Sequence, residues 1–349
     1  MDILDNLNQV AQRDTKNALG MAGGEAEQLV QQLDIVNPPD HVPTFRQVVV
    51  AGMGGSALAG DMCRDWLDLP VPLQVVKDYT LPNYVSSETL VIACSFSGNT
   101  EETLSAFEDA RQKGAFVVVA AGGGQLVEAA KKQGLPYVFM PYDGTTPRMF
   151  LPTNLRAFLN IFVALKLVQD SVFDEVAAAA GRLASLKERF GVDVPSSDNL
   201  AKQLAWHAAG KTSVFYAGGR LRSCAYKWKI AVNESGKNTA WCHEYSEFNH
   251  NEFIGWSSHP IEKPFAVFDI RSSFEHPRIG KRFELSNRLL SGLRPKETEI
   301  RLEGETMLEQ MLYSNILADY TSAYLGILNG VDPAPVPLIE KLKKELAQE

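Results

Sequence analysis

Two short segments combine residue types that could hold an anion. Gly52-Met53-Gly54-Gly55-Ser56 follows the apolar run Val48-Val49-Val50, and Ser95-Phe96-Ser97-Gly98-Asn99-Thr100 follows Leu90-Val91-Ile92-Ala93-Cys94. Each pattern predicts a buried strand running into a tight polar loop and then a helix. Such a loop presents free backbone N–H groups, those of Gly54 and Gly55 among them, and the positive end of a helix dipole. The hydroxyls of Ser56, Ser95, Ser97 and Thr100 add donors that need no net charge. Two such loops in one domain predict a phosphorylated small molecule held between them.

A second cluster carries groups that move protons. Asn233-Glu234-Ser235-Gly236-Lys237 closes a predicted helix, and Glu244, Glu247, His250 and Glu252 follow within Cys242–Glu252. A run this dense in Glu, His, Asn and aromatics is unlike a solvated helix face. One chemistry it allows is metal ligation, because His243 and Glu247 are four residues apart. No His-Glu-x-x-His or paired-Cys pattern accompanies that spacing. The other is proton transfer, with a carboxylate base and an imidazole that titrates near neutral pH.

The first loop also matches a dinucleotide fingerprint, Gly52-Met53-Gly54-Gly55-Ser56-Ala57, with Asp78 near the position of a ribose-binding acid. A dinucleotide site does not call for Ser-x-Ser-Gly-Asn-Thr after the next core strand, which favours the phosphate reading. Thr100-Glu101-Glu102-Thr103 is in addition a helix-start signature, with Thr100 as a cap and the acids complementing the dipole.

The elements that must position these groups alternate in type. Strands are predicted at 47–51, 73–76, 89–94, 116–120 and 137–140, with helices at 56–67, 100–113 and 125–133. Continuous apolar strands alternating with helices specify a parallel sheet covered on both faces, which binds ligands at the carboxyl ends of its strands. Both loops fall there. A weaker series follows, with strands at 213–217, 265–269 and 298–302 and helices at 221–233 and 277–293. In it, Gly218-Gly219-Arg220 echoes the Ala51-Gly52 turn. The chain therefore divides into a helical arm (1–40), a first α/β domain (41–150), a helical linker (151–195), a second α/β domain (196–302) and closing helices (303–349).

At 349 residues, with 45% hydrophobic and 22% charged residues, the chain has the composition of a globular protein of about two domains. A net charge of −8 argues against a nucleic-acid partner. Cys63, Cys94, Cys224 and Cys242 show no Cys-x-x-Cys spacing and read as reduced, structural thiols. No apolar run is long enough to span a bilayer, and the acidic N-terminus lacks a signal pattern, so the expected location is the cytoplasm.

Taken in order, Gly52–Ser56, Ser95–Thr100, Pro147-Arg148, Asn233-Glu234, Phe248-Asn249-His250-Asn251-Glu252 and the closing Gly330-Val331-Asp332-Pro333 with Leu342-Lys343 resemble the bifunctional phosphoglucose/phosphomannose isomerase family. That family is built from sugar isomerase (SIS) domains, and the likeness covers most of residues 45–345. The resemblance implies two flavodoxin-like SIS domains, each a three-layer αβα sandwich, in a homodimer. It implies glucose, mannose and fructose 6-phosphates as substrates, service to glycolysis and mannose metabolism, and no metal or organic cofactor. Ser56, Ser95, Ser97 and Thr100, with nearby backbone amides, match the phosphate-binding positions. Glu234 matches the catalytic base, and His250 the ring-opening histidine supplied by the partner subunit. Arg148 matches the arginine beside the reacting carbons, and Lys343 a C-terminal lysine near the ring oxygen.

Physical chemistry agrees with these roles. One carboxylate can carry a proton between C1 and C2 of a cis-enediol(ate), and an arginine supplies permanent positive charge to the developing oxyanion. Simpler roles exist for each: a salt bridge of Glu234 to Lys237, an interface bond for His250, a brace for Arg148, solvation for Lys343. His207, His259 and His276 carry no motif and read as structural. Residues 235–242 and the Met149-Phe150-Leu151-Pro152 segment depart from the family pattern, which bears on pocket shape and on the preference between glucose and mannose. The alternatives are a non-catalytic sugar-phosphate-binding SIS regulator, which should lack the base and histidine, and an amino-sugar phosphate isomerase.

Overall fold

The computed structural model describes residues 2–142, 144–257 and 264–346, so His259 lies outside the described residues. The chain forms two compact units: an N-terminal unit, Gly24–Ala184, and a C-terminal unit, Met1–Gly23 with Ser185–Glu349.

In the N-terminal unit the strands are β1 (Ile35–Val36), β2 (Gln47–Ala51), β3 (Leu73–Val76), β4 (Thr89–Ser95), β5 (Phe116–Ala121) and β6 (Tyr137–Phe139), in the order β1-β6-β5-β4-β2-β3. From β2 onward all pairings are parallel, and β1 alone runs antiparallel, against β6. Counted from β2, this is the flavodoxin order 2-1-3-4-5, whose switch point lies between β2 and β4. Every residue of β4 is buried, which is why its sequence is apolar on both faces rather than alternating. The longer helices are α1 (Gly54–Trp66), α2 (Glu101–Gln112), α3 (Gly124–Gln133), α4 (Leu151–Ala164) and α5 (Val172–Leu183). Phe107 of α2 and Leu126 of α3 share a core with Val49, Val91 and Val117, one face of the sheet. The opposite face meets α1 at Gly60, where a Cβ would stand 3.0 Å from Val50, and α4 at Asn154, 3.7 Å from the Cys94 thiol. The layers are those of an αβα sandwich.

The C-terminal unit has β7 (Thr212–Gly218), β8 (Ala240–Tyr245), β9 (Phe265–Arg271) and β10 (Thr298–Arg301), all parallel, in the order β10-β9-β7-β8. Counted from β7 this is the same order, without a fifth strand among the described residues. Its longer helices are α6 (Leu200–Ala208), α7 (Arg222–Glu234), α8 (Pro277–Leu289), α9 (Met307–Leu328) and α10 (Pro337–Leu346). Phe283 of α8 packs with Tyr216, Tyr245 and Val267 on one face of the sheet. On the other, Phe215 stacks on Phe268 (5.0 Å) and meets, at a tilt, Trp228 of α7 (5.3 Å), whose indole N–H donates to Ser314 of α9.

Three features differ from expectation. Residues 1–40 are not one helical arm. Leu7–Arg13 and Ala18–Gly23 pack in the C-terminal unit, with Gly23 against Tyr320, while Ile35–Val36 joins the first sheet. The expected linker 151–195 is likewise shared: α4 and α5 belong to the N-terminal unit and Leu186–Phe190 to the other. Strand β8 was not expected; as an edge strand it is only half covered, so its residues lack an apolar run. Among the described residues no helix is long and apolar enough to cross a membrane.

Candidate active site

Both Gly/Ser loops sit at the switch point of the first sheet. The first opens α1 at Gly54, whose φ of +52° suits glycine. Ser56 is 6% exposed, and its Oγ accepts a hydrogen bond from the Phe96 amide at 3.2 Å. One residue of the first loop thus latches the second. Within the second loop the Ser95 and Thr100 hydroxyls are 2.8 Å apart, and Ser95 Oγ accepts from the Gly98 amide at 3.0 Å. Thr100 stands at the N-cap of α2, but its hydroxyl bonds Ser95 rather than capping the helix. Glu101 and Glu102 occupy the first turn, as expected for the dipole. Ser97 is exposed, with its Oγ accepting from the Asn99 amide at 3.2 Å.

A third loop braces this pair, and the motif search missed it. Gly122-Gly123-Gly124 follows β5, and the Gly122 amide donates to the Phe96 carbonyl at 3.2 Å. A Cβ on Gly98 would lie 1.7 Å from the Gly123 oxygen, so the loops touch backbone to backbone. The signal was three consecutive glycines at the end of a core strand. Asp78 of the dinucleotide reading is exposed and accepts from the Tyr79 amide at 2.6 Å.

Arg148 lies in the short turn Pro147–Met149 and is 2% exposed. It is placed by Gly55: a Cβ there would stand 2.6 Å from the Pro147 oxygen and 3.3 Å from the Arg148 Cα. Gly54, Gly55, Ser56, Ser95, Ser97, Thr100 and Arg148 therefore gather at one end of one sheet.

Glu234, His250 and Lys343 belong to the C-terminal unit. Glu234 is the last residue of α7 and lines a cavity of about 730 Å³ with Asn233, Lys237, Thr239 and the start of α10. Helix α7 is anchored on α9 by the buried Lys227–Asp319 pair at 2.6 Å. The turn after Glu234 is held just as closely, since a Cβ on Gly326 would meet the Ser235 oxygen at 2.4 Å. Lys237 Nζ donates to the backbone oxygens of Glu234 and, at 2.9 Å, of Pro333.

His250 ends the turn Glu247–His250 and is exposed. The residues around it are fixed. Phe248 is fully buried, 4.7 Å from Tyr216 and 4.9 Å from Tyr245 ring to ring. The Asn249 amide donates to Ser286 at 2.8 Å and its oxygen accepts from Arg282 at 3.0 Å. Glu252 bonds the Tyr216 hydroxyl and, at 2.8 Å, His243 Nδ1. Burial first, then the Glu252 charge, pushes the Tyr216 hydroxyl far up, so it stays a donor. His243 lies on β8 and Glu247 in the turn, so the two do not share the helix face the metal spacing assumed. Lys343 is exposed on α10. Cys63, Cys94 and Cys224 are buried, and burial pushes the Cys94 thiol up to about 12. His207 bonds Thr298, and His276 caps α8, in keeping with structural roles.

In the N-terminal unit the two loops gather neutral donors suited to a phosphate, next to the turn that carries the buried Arg148; in the C-terminal unit Glu234 lines a cavity. The bacterial phospho-glucose isomerase C-terminal SIS domain family model matches residues 197–346. The chain is 37% identical over 306 residues to a bifunctional phosphoglucose/phosphomannose isomerase of Caldicellulosiruptor bescii, covering 86% of this chain and 90% of that one. It is 33% identical to the enzyme of that name from Aquifex aeolicus, covering 86% and 91%. Its fold matches the crystal structure of a glucose-6-phosphate isomerase like protein from Thermus thermophilus, with a TM-score of 0.62, 19% identity and 99% of both chains covered.

Proposed function

The chain belongs to the bifunctional phosphoglucose/phosphomannose isomerase family, and from that membership we infer that it interconverts glucose 6-phosphate and mannose 6-phosphate with fructose 6-phosphate. The observation that carries this most directly is the cradle of two loops latched by Ser56 and Phe96, with Arg148 set beside it by Gly55. The loop amides and hydroxyls take the phosphate and so fix the distance to the reacting carbons. His250, with Lys343 assisting, exchanges protons with the ring oxygen and anomeric hydroxyl to open the sugar. Glu234 removes the proton from one carbon and returns it to the other through a cis-enediol(ate). Arg148 stabilises the enediolate oxygen; a guanidinium suits this because it stays charged even when buried. These steps need proton-transfer groups and a fixed positive charge, and the proposal includes no metal or organic cofactor. The enzyme acts as a homodimer in which His250 completes the partner's site. It works in the cytoplasm, in glycolysis, gluconeogenesis and mannose metabolism; three buried free cysteines accord with a reducing compartment.

The test is a coupled assay of fructose 6-phosphate formation from glucose 6-phosphate and, separately, from mannose 6-phosphate, with EDTA present. Turnover of both is expected. Turnover of glucose 6-phosphate alone keeps the mechanism and narrows the specificity. Binding without turnover of either would replace this function by that of a sugar-phosphate-binding regulator or an amino-sugar phosphate enzyme.

A further inference from the structure

The second sheet repeats the switch-point geometry of the first with one substitution. β4 ends at Ser95 and α2 begins at Glu101; β9 ends at Arg271 and α8 begins at Pro277. The equal spacing sets Thr100 against His276, both N-caps, and Asn99 against Glu275. The partner strands correspond too, since Gly52 follows β2 and Gly218 ends β7.

Between the ends of β7 and β9 lies a carboxylate of the chain itself. The Glu275 side chain is 6% exposed, and its Oε2 accepts from Arg271 Nε at 3.1 Å. Oε1 lies against Gly218, where a Cβ would stand 2.7 Å away. Oε1 has no well-aligned hydrogen-bond partner among the described residues, yet the Ser272 and Gly218 amides lie near enough to favour its charged form. Burial opposes them and raises the acid above the usual carboxylate range. Arg271 is held in place from other sides, by the Phe283 ring at 4.4 Å and Glu299 at 3.8 Å. Strand-end amides and an arginine are donors that also bind phosphate, and the crevice is where a parallel α/β sheet takes its ligand.

We propose that Glu275 is a built-in anion filling the ligand crevice of the second sheet, so that each chain takes a phosphate at the first sheet alone, and that withdrawing this carboxylate opens a second site for phosphate-class anions. The proposal rests on the phosphate role of the first-sheet loops. It explains why the second unit keeps the glycine of the strand-end turn: the side chain that needs the room is Glu275 rather than a substrate.

The test is equilibrium dialysis of the full chain against labelled inorganic phosphate. Wild type is expected to bind one phosphate per chain and Glu275→Ala two, with Glu275→Gln, whose amide still fills the crevice, remaining at one. Adding Arg271→Met to Glu275→Ala should remove the second phosphate. A folded Glu275→Ala chain that binds no more than wild type would overturn the proposal, as would a wild type that binds two. A wild type that binds none, with Glu275→Ala binding one, would instead remove the phosphate role of the first loops. Should Glu275→Ala not fold, Glu275→Ser, which also withdraws the carboxylate, decides: it is expected to bind two phosphates per chain, and a folded Glu275→Ser chain that binds one would sink the idea.

Discussion

Gly55 and Arg148 meet backbone to backbone: a Cβ on Gly55 would stand 3.3 Å from the Arg148 Cα and 2.6 Å from the preceding carbonyl oxygen. The second residue of α1 is therefore also the residue against which the backbone of the Pro147–Met149 turn rests. Gly55→Ala forces the Pro147–Met149 turn away. Overpacking of this kind costs about 1–3 kcal/mol, and the displaced guanidinium should lower kcat/KM by about 10². Thermal melting and steady-state kinetics read the two effects. A variant with wild-type kinetics would show that this contact does not set the arginine.

Arg148→Lys keeps a positive charge in a buried position but loses the planar fork. We expect kcat to fall at least about tenfold with KM changed little, and Arg148→Met to fall by about 10²–10³, the range for loss of one oxyanion donor. A rise in KM at constant kcat would assign Arg148 to ground-state binding of the phosphate instead.

Glu234→Gln should lower turnover by about 10²–10⁴ while sugar-phosphate binding persists, because the amide cannot accept the C1 or C2 proton. Loss of exchange between the substrate's C2 proton and solvent should parallel the loss of turnover. Wild-type turnover would remove Glu234 as the base.

His250 is exposed on a turn whose neighbouring residues are tightly held, as a side chain offered to another molecule would be. If it completes the partner's site, Glu234→Gln and His250→Ala chains mixed under exchange conditions should regain activity in the heterodimer. Each inactive parent should stay inactive. Demonstrated heterodimers without recovery would place both residues in a site made by one chain.

Asp269, on β9, predicts a pH dependence of stability. Burial raises its carboxyl to about 6, against the opposing pull of Arg294 and of Asn287, whose amide donates to it at 2.9 Å. The folded protein therefore holds this proton more tightly than the unfolded chain, whose carboxyl titrates near 3.8. The contribution of Asp269 to stability should be greatest below that value and be lost as pH rises toward 6, by up to about 1.4 kcal/mol per pH unit, and it should then level off. Urea denaturation across this range should show the slope, and Asp269→Asn should remove its share of it.

Local pattern was enough to reveal the strands that run into the two loops, because a strand buried on both faces must be apolar throughout and a loop that presents its amides needs glycine and small hydroxyls. Ser56, Ser95, Ser97 and Thr100 were legible for that reason, and so was the boundary of α7 at Glu234. What the sequence could not disclose depends on contacts between distant segments. β8 was hidden because an edge strand needs no apolar run. Gly122-Gly123-Gly124 showed itself as a brace only once its backbone lay on Gly98, and Arg148 as a neighbour of the cradle only through Gly55. The division of the first 40 residues between two units is likewise a matter of packing, since short amphipathic segments do not specify which surface will bury them. Glu275 makes the same point most sharply: in sequence it is one acid before a helix, and only the strand order brings its carboxylate over Gly218, because burial in a crevice is a property of the sheet and not of the segment.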